Sequence, residues 1–319
     1  MSTALQEISE EQIQALIHAL DSLSDGELAV TILVACGARA VPYLAQALLH
    51  TAPHAIALPR CRMVHVLGEL GAYETLIAYL DQYTPPADPV VLFAEDAVRG
   101  AVAHELLRWP TEVVFTRLMQ AATQRASNGV VLALGEFRRK ESIPLLFGVL
   151  EDDLCREDAK EVLRKMPEET RAYAELVMAG RTPIVLDGAA SLYTRRAVLE
   201  LLHELGVQSR DWPLLRRFLH EQDPGVVIAT AQIGFKIAPE AERAQLIEAL
   251  LRIAAHLNWV QETDVKQLLD QAPELARALA RAIAAQRKQR GERVNWMSPL
   301  WRVLRHILKE ELTGNPGTV

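Results

Sequence analysis

Aromatic residues are scarce in this chain of 319 residues, where Phe, Trp and Tyr together make up 5%. With so few large rings, a core has to be packed by Leu, Ala, Val and Ile, and of these Leu and Ala are strong helix formers. Cysteine is nearly absent. Cys36, Cys61 and Cys155 are odd in number and far apart, which argues against a disulfide framework and for a reducing compartment. Long apolar runs are missing too. The longest, Leu28 to Ala38, is interrupted by Thr31 and falls far short of the ~20 residues that span a bilayer. Met1 to Glu11 is acidic and has neither the basic opening nor the apolar stretch of a secretory signal. A soluble, cytoplasmic protein is expected. Positive charge is in deficit, with a formal net charge of −7 and a pI near 5.8, which weighs against polyanion binding by the surface as a whole. No P-loop, GxGxxG after a strand, GxSxG or HExxH occurs, and no alternation of apolar and polar residues persists. Strands, a cofactor and an enzymatic activity are therefore not expected.

What is present is a repeat. Val41-Pro42-Tyr43-Leu44 runs on to Leu48, Ile143-Pro144-Leu145-Leu146 to Leu150, and Trp212-Pro213-Leu214-Leu215 to Leu219. The prolines are 102 and 69 residues apart, close to three and two units of about 34 residues. A second motif keeps the same period. Arg60 to Gly71, with Leu67-Gly68-Glu69-Leu70-Gly71 at its end, lies over Arg195 to Gly206, 135 residues on. Leu134-Gly135-Glu136-Phe137 repeats Leu67 to Leu70 at 67 residues, and Cys36-Gly37 precedes Leu70-Gly71 by 34. A Gly closing an apolar helical pattern supplies the left-handed conformation that ends a helix. A Pro a few residues later suits the first turn of the next one. One unit is thus a helix, a tight turn and a second helix.

On these marks helices are expected at 10–21, 26–36, 39–50, 59–70, 73–82, 91–108, 111–123, 127–137, 141–151, 155–165, 168–179, 191–205, 211–221, 225–236, 240–257, 262–270, 273–290 and 298–311. The array covers 1–272, basic capping helices follow over 273–312, and 313–319 is a frayed tail. Glu7, Glu10, Glu11, Gln12 and Gln14 give the first helix the polar outer face of a terminal cap. Two longer connections stand out, Gln82 to Pro89 with three prolines and Gly180 to Gly188.

With its Arg60–Gly71 and Arg195–Gly206 helix ends, the Leu134–Phe137 echo and the helix starts at Pro42, Pro144 and Pro213, the chain resembles a HEAT-repeat protein. The likeness is to the bacterial HEAT-like repeats also found in phycobilin lyases, and it covers roughly residues 26–256. The resemblance implies an all-α fold, an α-solenoid of antiparallel helix pairs with the second helix of each pair lining a concave face. It also implies irregularity where units depart from the pattern, over 85–125 and 166–190.

Candidate chemistry is sparse. His50, His54, Cys61 and His65 are the only cluster of ligand-like residues, but their spacing matches no closed zinc motif and Cys61 stands where the related unit has Arg196. Surface histidines with a packed cysteine are the expectation, and no metal site is assigned. Basic residues recur near the starts of the second helices: Arg60, Arg62, Arg99, Arg138, Arg139, Arg195 and Arg196. They would either pair with neighbouring acids or form a ladder that grips an acidic segment by bidentate contacts. Arg60, His65, Arg195, Arg196 and His203 are the candidate partner-binding residues. The stretch 273–309 carries nine basic residues against two acidic ones, with Arg287, Lys288, Arg290, Arg302 and Arg305 as its patch. A capping role, a partner's groove and an anionic surface all suit such a helix.

The expected function is a non-catalytic scaffold or adaptor that binds a partner protein or peptide on its concave face. The resemblance leaves room for a lyase or isomerase subunit acting on a bilin-like chromophore. Nucleic-acid binding through the basic C-terminal helices is the third reading, and the acidity of the rest of the chain disfavours it.

Overall fold

The computed structural model describes residues 8–182, 192–254 and 256–290, with backbone alone over 284–290, together with residues 300, 303 and 304. Among these the chain is all-α and solenoid-like: helix follows helix with no strand, and each packs on neighbours close in sequence. Contacts divide the chain into two compact units, Met1–Met166 and Pro167–Val319, and the division falls at the start of the irregular stretch 166–190.

In the first unit the helices are α1 (Glu10–Ala19), α2 (Gly26–Ala35), α3 (Val41–His50), α4 (Leu58–Glu69), α5 (Tyr73–Gln82), α6 (Pro89–Leu106), α7 (Glu112–Gln124), α8 (Asn128–Phe137), α9 (Ile143–Val149) and α10 (Arg156–Arg164). Odd-numbered helices pack on the next odd one and even on the next even one, giving two layers, with each pair also closed on itself. In the second unit are α11 (Pro167–Met178), α12 (Leu192–Leu205), α13 (Trp212–Leu215), α14 (Pro224–Ile237), α15 (Arg243–Ile253), α16 (Trp259–Gln271) and α17 (Pro273–Arg290). Here α12, α14 and α16 form the second-helix layer. The helix expected at 211–221 is split, with α13 continuing as a 3-10 turn over Arg216–His220.

Local signals explain the ends. Pro42, Pro59, Pro89, Pro144, Pro213 and Pro224 sit in first turns, where the missing N–H has no intrahelical partner to lose. Asp88 and Asp223 cap α6 and α14, accepting from the amides of Val90 (2.7 Å) and Val226 (2.9 Å). Ser9 and Gln12 form a reciprocal capping box on α1, whose Glu10, Glu11, Gln12 and Gln14 are all exposed; Glu7 lies outside the described residues. Gly37, Gly71 and Gly206 close their helices with φ of 63°, 72° and 78°. In the α8 unit the position 67 residues after Gly71 is Arg138, which adopts φ 47° despite its Cβ.

Stacking buries the stripes that a lone pair would expose. Leu33, Leu44, Leu67, Leu76, Val98, Val102, Leu118 and Leu134 belong to one continuous core in the first unit. Between α6 and α8 the backbones approach so closely at Gly100 and Gly129 that a Cβ on Gly129 would run into the main chain of Gly100.

Arginines complete the helix ends. Arg62 donates from Nη1 to the carbonyls of Leu20 (2.8 Å) and Ser22 (2.9 Å), just past α1. Arg99 donates to Ala121 (2.7 Å), Arg156 to Leu150 (2.8 Å), Arg217 to Met178 (2.8 Å), Arg252 to Leu219, and Arg171 to Leu205 (2.6 Å) and Gly206 (3.0 Å). The last carbonyls of a helix lack intrahelical donors and carry the negative end of its dipole, so a guanidinium satisfies both needs.

Among the described residues no single helix is long and apolar enough to cross a membrane. The segments Gly26–Ala35 and Gly37–His50 reach that composition only together, and they meet at 113° with Leu33, Leu44 and Leu48 buried in the core.

Candidate functional site

In the second unit, three second-layer helices each present a stripe at helical spacing. On α12 it is Arg196, Glu200 and His203; on α14 it is Gly225, Ile228 and Gln232; on α16 it is Asp264, Gln267 and Gln271. Residues three, four and seven apart share one face of a helix, so the parallel stripes line one cleft of about 370 Å³, with Glu204, Ala229 and Leu268 completing its walls.

Arg196 spans this cleft. Its Nε donates to Glu200 Oε1 at 2.7 Å and its Nη2 to Asp264 Oδ2 at 3.2 Å, which ties α12 to α16 across α14. Gly225 leaves room for the crossing, since a Cβ there would stand 3.2 Å from Arg196 Cδ and the arginine would have to shift by a few tenths of an ångström. Burial pushes the Asp264 carboxyl above its ordinary range, with Arg196 pulling it back and Glu200 adding to the rise. Burial likewise lowers the pKa of His203, and the Lys236 ammonium, 3.5 Å from Nε2, lowers it further. A neutral imidazole whose Nε2 accepts is the form that suits this neighbour.

The other candidate residues have different surroundings. Arg195, next to Arg196, is buried and pairs with Glu221 at 2.7 Å. In the first unit Arg60 is buried as well. It pairs with Glu95, donates to the Leu48 carbonyl (3.0 Å), and stands 5.4 Å from the centroid of the Tyr79 ring. The Tyr79 hydroxyl donates to the second oxygen of Glu95 at 2.6 Å, and burial drives its pKa far upward. His65 is exposed, with Nδ1 2.9 Å from Glu105 Oε1. Thus Arg196 and His203 come together in one cleft, while Arg60 and Arg195 face neighbouring helices. The backbone of Arg287, Lys288 and Arg290 belongs to α17, but their side chains, and Arg302 and Arg305 altogether, lie outside the described residues, as does most of the connection Gly180 to Gly188.

Of the ligand-like cluster, His50 and His54 are exposed, and His54 Nδ1 accepts from the Ile56 amide at 3.2 Å. Cys61 is partly buried, and that burial, with Glu95 nearby, pushes its thiol up. Among the described residues no group of three or more His, Cys, Asp or Glu is placed to hold a metal ion.

Glu200, Gln232, Asp264, Gln267 and Gln271 were not among the sequence candidates. The signal that marks them is a polar residue every three to four positions on helices whose opposite faces are apolar, and it acquires meaning only once α12, α14 and α16 are known to be adjacent. No protein-family model matches this chain, and no curated protein matches it.

Proposed function

We propose that the protein is a non-catalytic scaffold of HEAT-like type whose cleft on α12, α14 and α16 binds an extended segment of a partner protein. The observation that carries this reading is the convergence of polar stripes from α12 and α16, with Gln232 of α14 between them, on one open cleft. Gln232, Gln267 and Gln271 place amides, each both donor and acceptor, where an extended backbone needs both. Arg196 holds Glu200 and Asp264, and Lys236 stands 3.5 Å from His203, so the cleft carries charges of both signs. A polar segment fits such a lining, with its backbone groups against the amides.

A photo-crosslinking amino acid at position 267 tests this. In the native cell it should capture one defined protein, and Gln232→Arg with Gln271→Arg should abolish the product. Crosslinks that persist unchanged in the double variant would overturn the assignment.

A further inference from the structure

The second-layer helices of the first unit carry a different surface. Leu28 on α2, Leu58 on α4, and Val90 and Phe93 on α6 are 62%, 39%, 63% and 70% exposed. Leu28, Leu58 and Val90 stand in the first turns of their helices, and Phe93 follows at the start of the second turn of α6. Cross-helix pairs fix how those turns align: Arg62 of α4 holds Glu27 of α2 at 2.9 Å, and Arg60 of α4 pairs with Glu95 of α6. Leu28 follows Glu27 directly, while Leu58 and Phe93 lie two residues before Arg60 and Glu95. Exposed apolar side chains therefore recur near the same end of three consecutive second-layer helices, and we call them a row. Leu23 and Ile56, exposed in the preceding connections, extend its outer edge. The row stops at α8, whose first residue is Asn128, bound through Nδ2 to the Leu154 carbonyl (3.0 Å) and to Asp158 (2.6 Å).

Scattered surface leucines need no explanation, but exposed apolar side chains that recur at the same end of three successive helices do. Its flanks say what chemistry covers it. The connections into α2, α4 and α6, residues 20–25, 51–57 and 83–88, contain Asp21, Asp25 and Asp88 and no Lys or Arg. The cations on the helices themselves are engaged inward, Arg60 with Glu95 and Arg62 with Glu27 and two carbonyls. Adjacent packed helices are about 8–10 Å apart, and seven residues of α-helix rise about 10.5 Å. A helix laid across α2, α4 and α6 would set apolar residues at i, i+7 and i+14 against successive members of the row.

We infer that this row is a second docking surface, independent of the cleft, and that it receives an amphipathic helix of a partner protein bearing apolar residues at heptad spacing and Lys or Arg beside them. Apolar contact supplies the attraction, and the acidic connections select the sign of the flanking charge.

Three fluorescein-labelled peptides of 21 residues test it by anisotropy: one with Leu at heptad a and d positions and Lys elsewhere, one with Glu replacing Lys, and one with Ser replacing Leu. The Leu/Lys peptide should bind the full-length protein, and the other two at least tenfold more weakly. Phe93→Ser and Leu58→Ser should each weaken the Leu/Lys peptide about tenfold while leaving the melting temperature unchanged. Trp259→Ser and Gln267→Arg/Gln271→Arg, in the other unit, should leave its binding unchanged. Equal binding of the Leu/Glu peptide, or unaltered affinity in both apolar-row variants, would overturn the inference. So would a wild-type dimer that Phe93→Ser dissociates in sedimentation, since a second copy would then cover the row. Binding to phosphatidylserine vesicles that Phe93→Ser removes would also overturn it, by assigning the row to a membrane.

Discussion

The two units offer the same framework with opposite surfaces. At a spacing of 135 residues, the Asp88-Pro89 start of α6 matches the Asp223-Pro224 start of α14, and Arg60 on α4 matches Arg195 on α12. Inside, the matched residues behave alike: both arginines are buried, and both pair with a glutamate, Glu95 or Glu221. Outside, they diverge. Cys61 becomes Arg196, His65 becomes Glu200, Phe93 becomes Ile228 and Ala97 becomes Gln232. One unit carries an apolar row, the other a polar cleft. A stack of helix pairs holds together through positions facing its own neighbours, which leaves the outward positions of each unit free to take separate chemistries.

The inward equivalence is where this comparison breaks most sharply. Glu95 is almost wholly buried and neutralises Arg60, whereas the Glu221 side chain is 32% exposed. Glu95→Ala leaves a buried guanidinium without its counter-charge and a phenol without its acceptor, and should destabilise by about 3–5 kcal/mol. Glu221→Ala, partly screened by water, should cost no more than about 1 kcal/mol. Urea denaturation of the two variants measures the difference, and equal losses would mean that the matched arginines are held alike.

A smaller effect is expected where α6 meets α8. Gly129→Ala pushes a methyl against the backbone of Gly100, and overpacking of this kind costs about 1–3 kcal/mol. Substitution of Gly148, which has open space beside it, should be silent by comparison. Arg138→Gly works in the opposite direction. It restores the residue type found at Gly71 and Gly206 and relieves a left-handed arginine, a gain of up to about 1 kcal/mol that thermal melting would register.

The last difference is one of pH. His203 has a lowered pKa in the folded state, so its neutral form contributes stability that is present above the ordinary value of 6.5 and is lost as pH falls through the folded pKa. Stability should therefore decline on acidification through this range, and His203→Gln should make that decline shallower. The first unit has no counterpart, since Gly68 occupies the matching position.

Much of the fold was legible in the chain. The 73–82 helix matches α5 at both ends and the 273–290 helix matches α17 at its start, because Gly and Pro act within a few positions of the boundary they set. The expected 240–257 helix is shorter, Arg243–Ile253, preceded by a 3-10 turn over Glu240–Glu242. The site was only half legible. Arg196 and His203 do line the cleft, yet Arg195, one residue away, is buried. One step along a helix rotates a side chain by about 100°, so adjacent arginines on α12 meet different environments. Asp264 and Gln267 escaped notice because α16 was read as a helix without knowledge of which helix it would face.

The amino-acid order alone set the period, the helix pairs and their turns, since each depends on interactions a few residues long. The destination of each guanidinium and carboxylate was decided by the tertiary structure. A charge goes inward or outward according to which helix end or opposite charge lies alongside, and those neighbours are some 25 to 70 residues away, as with Arg62 and Glu27 or Arg196 and Asp264.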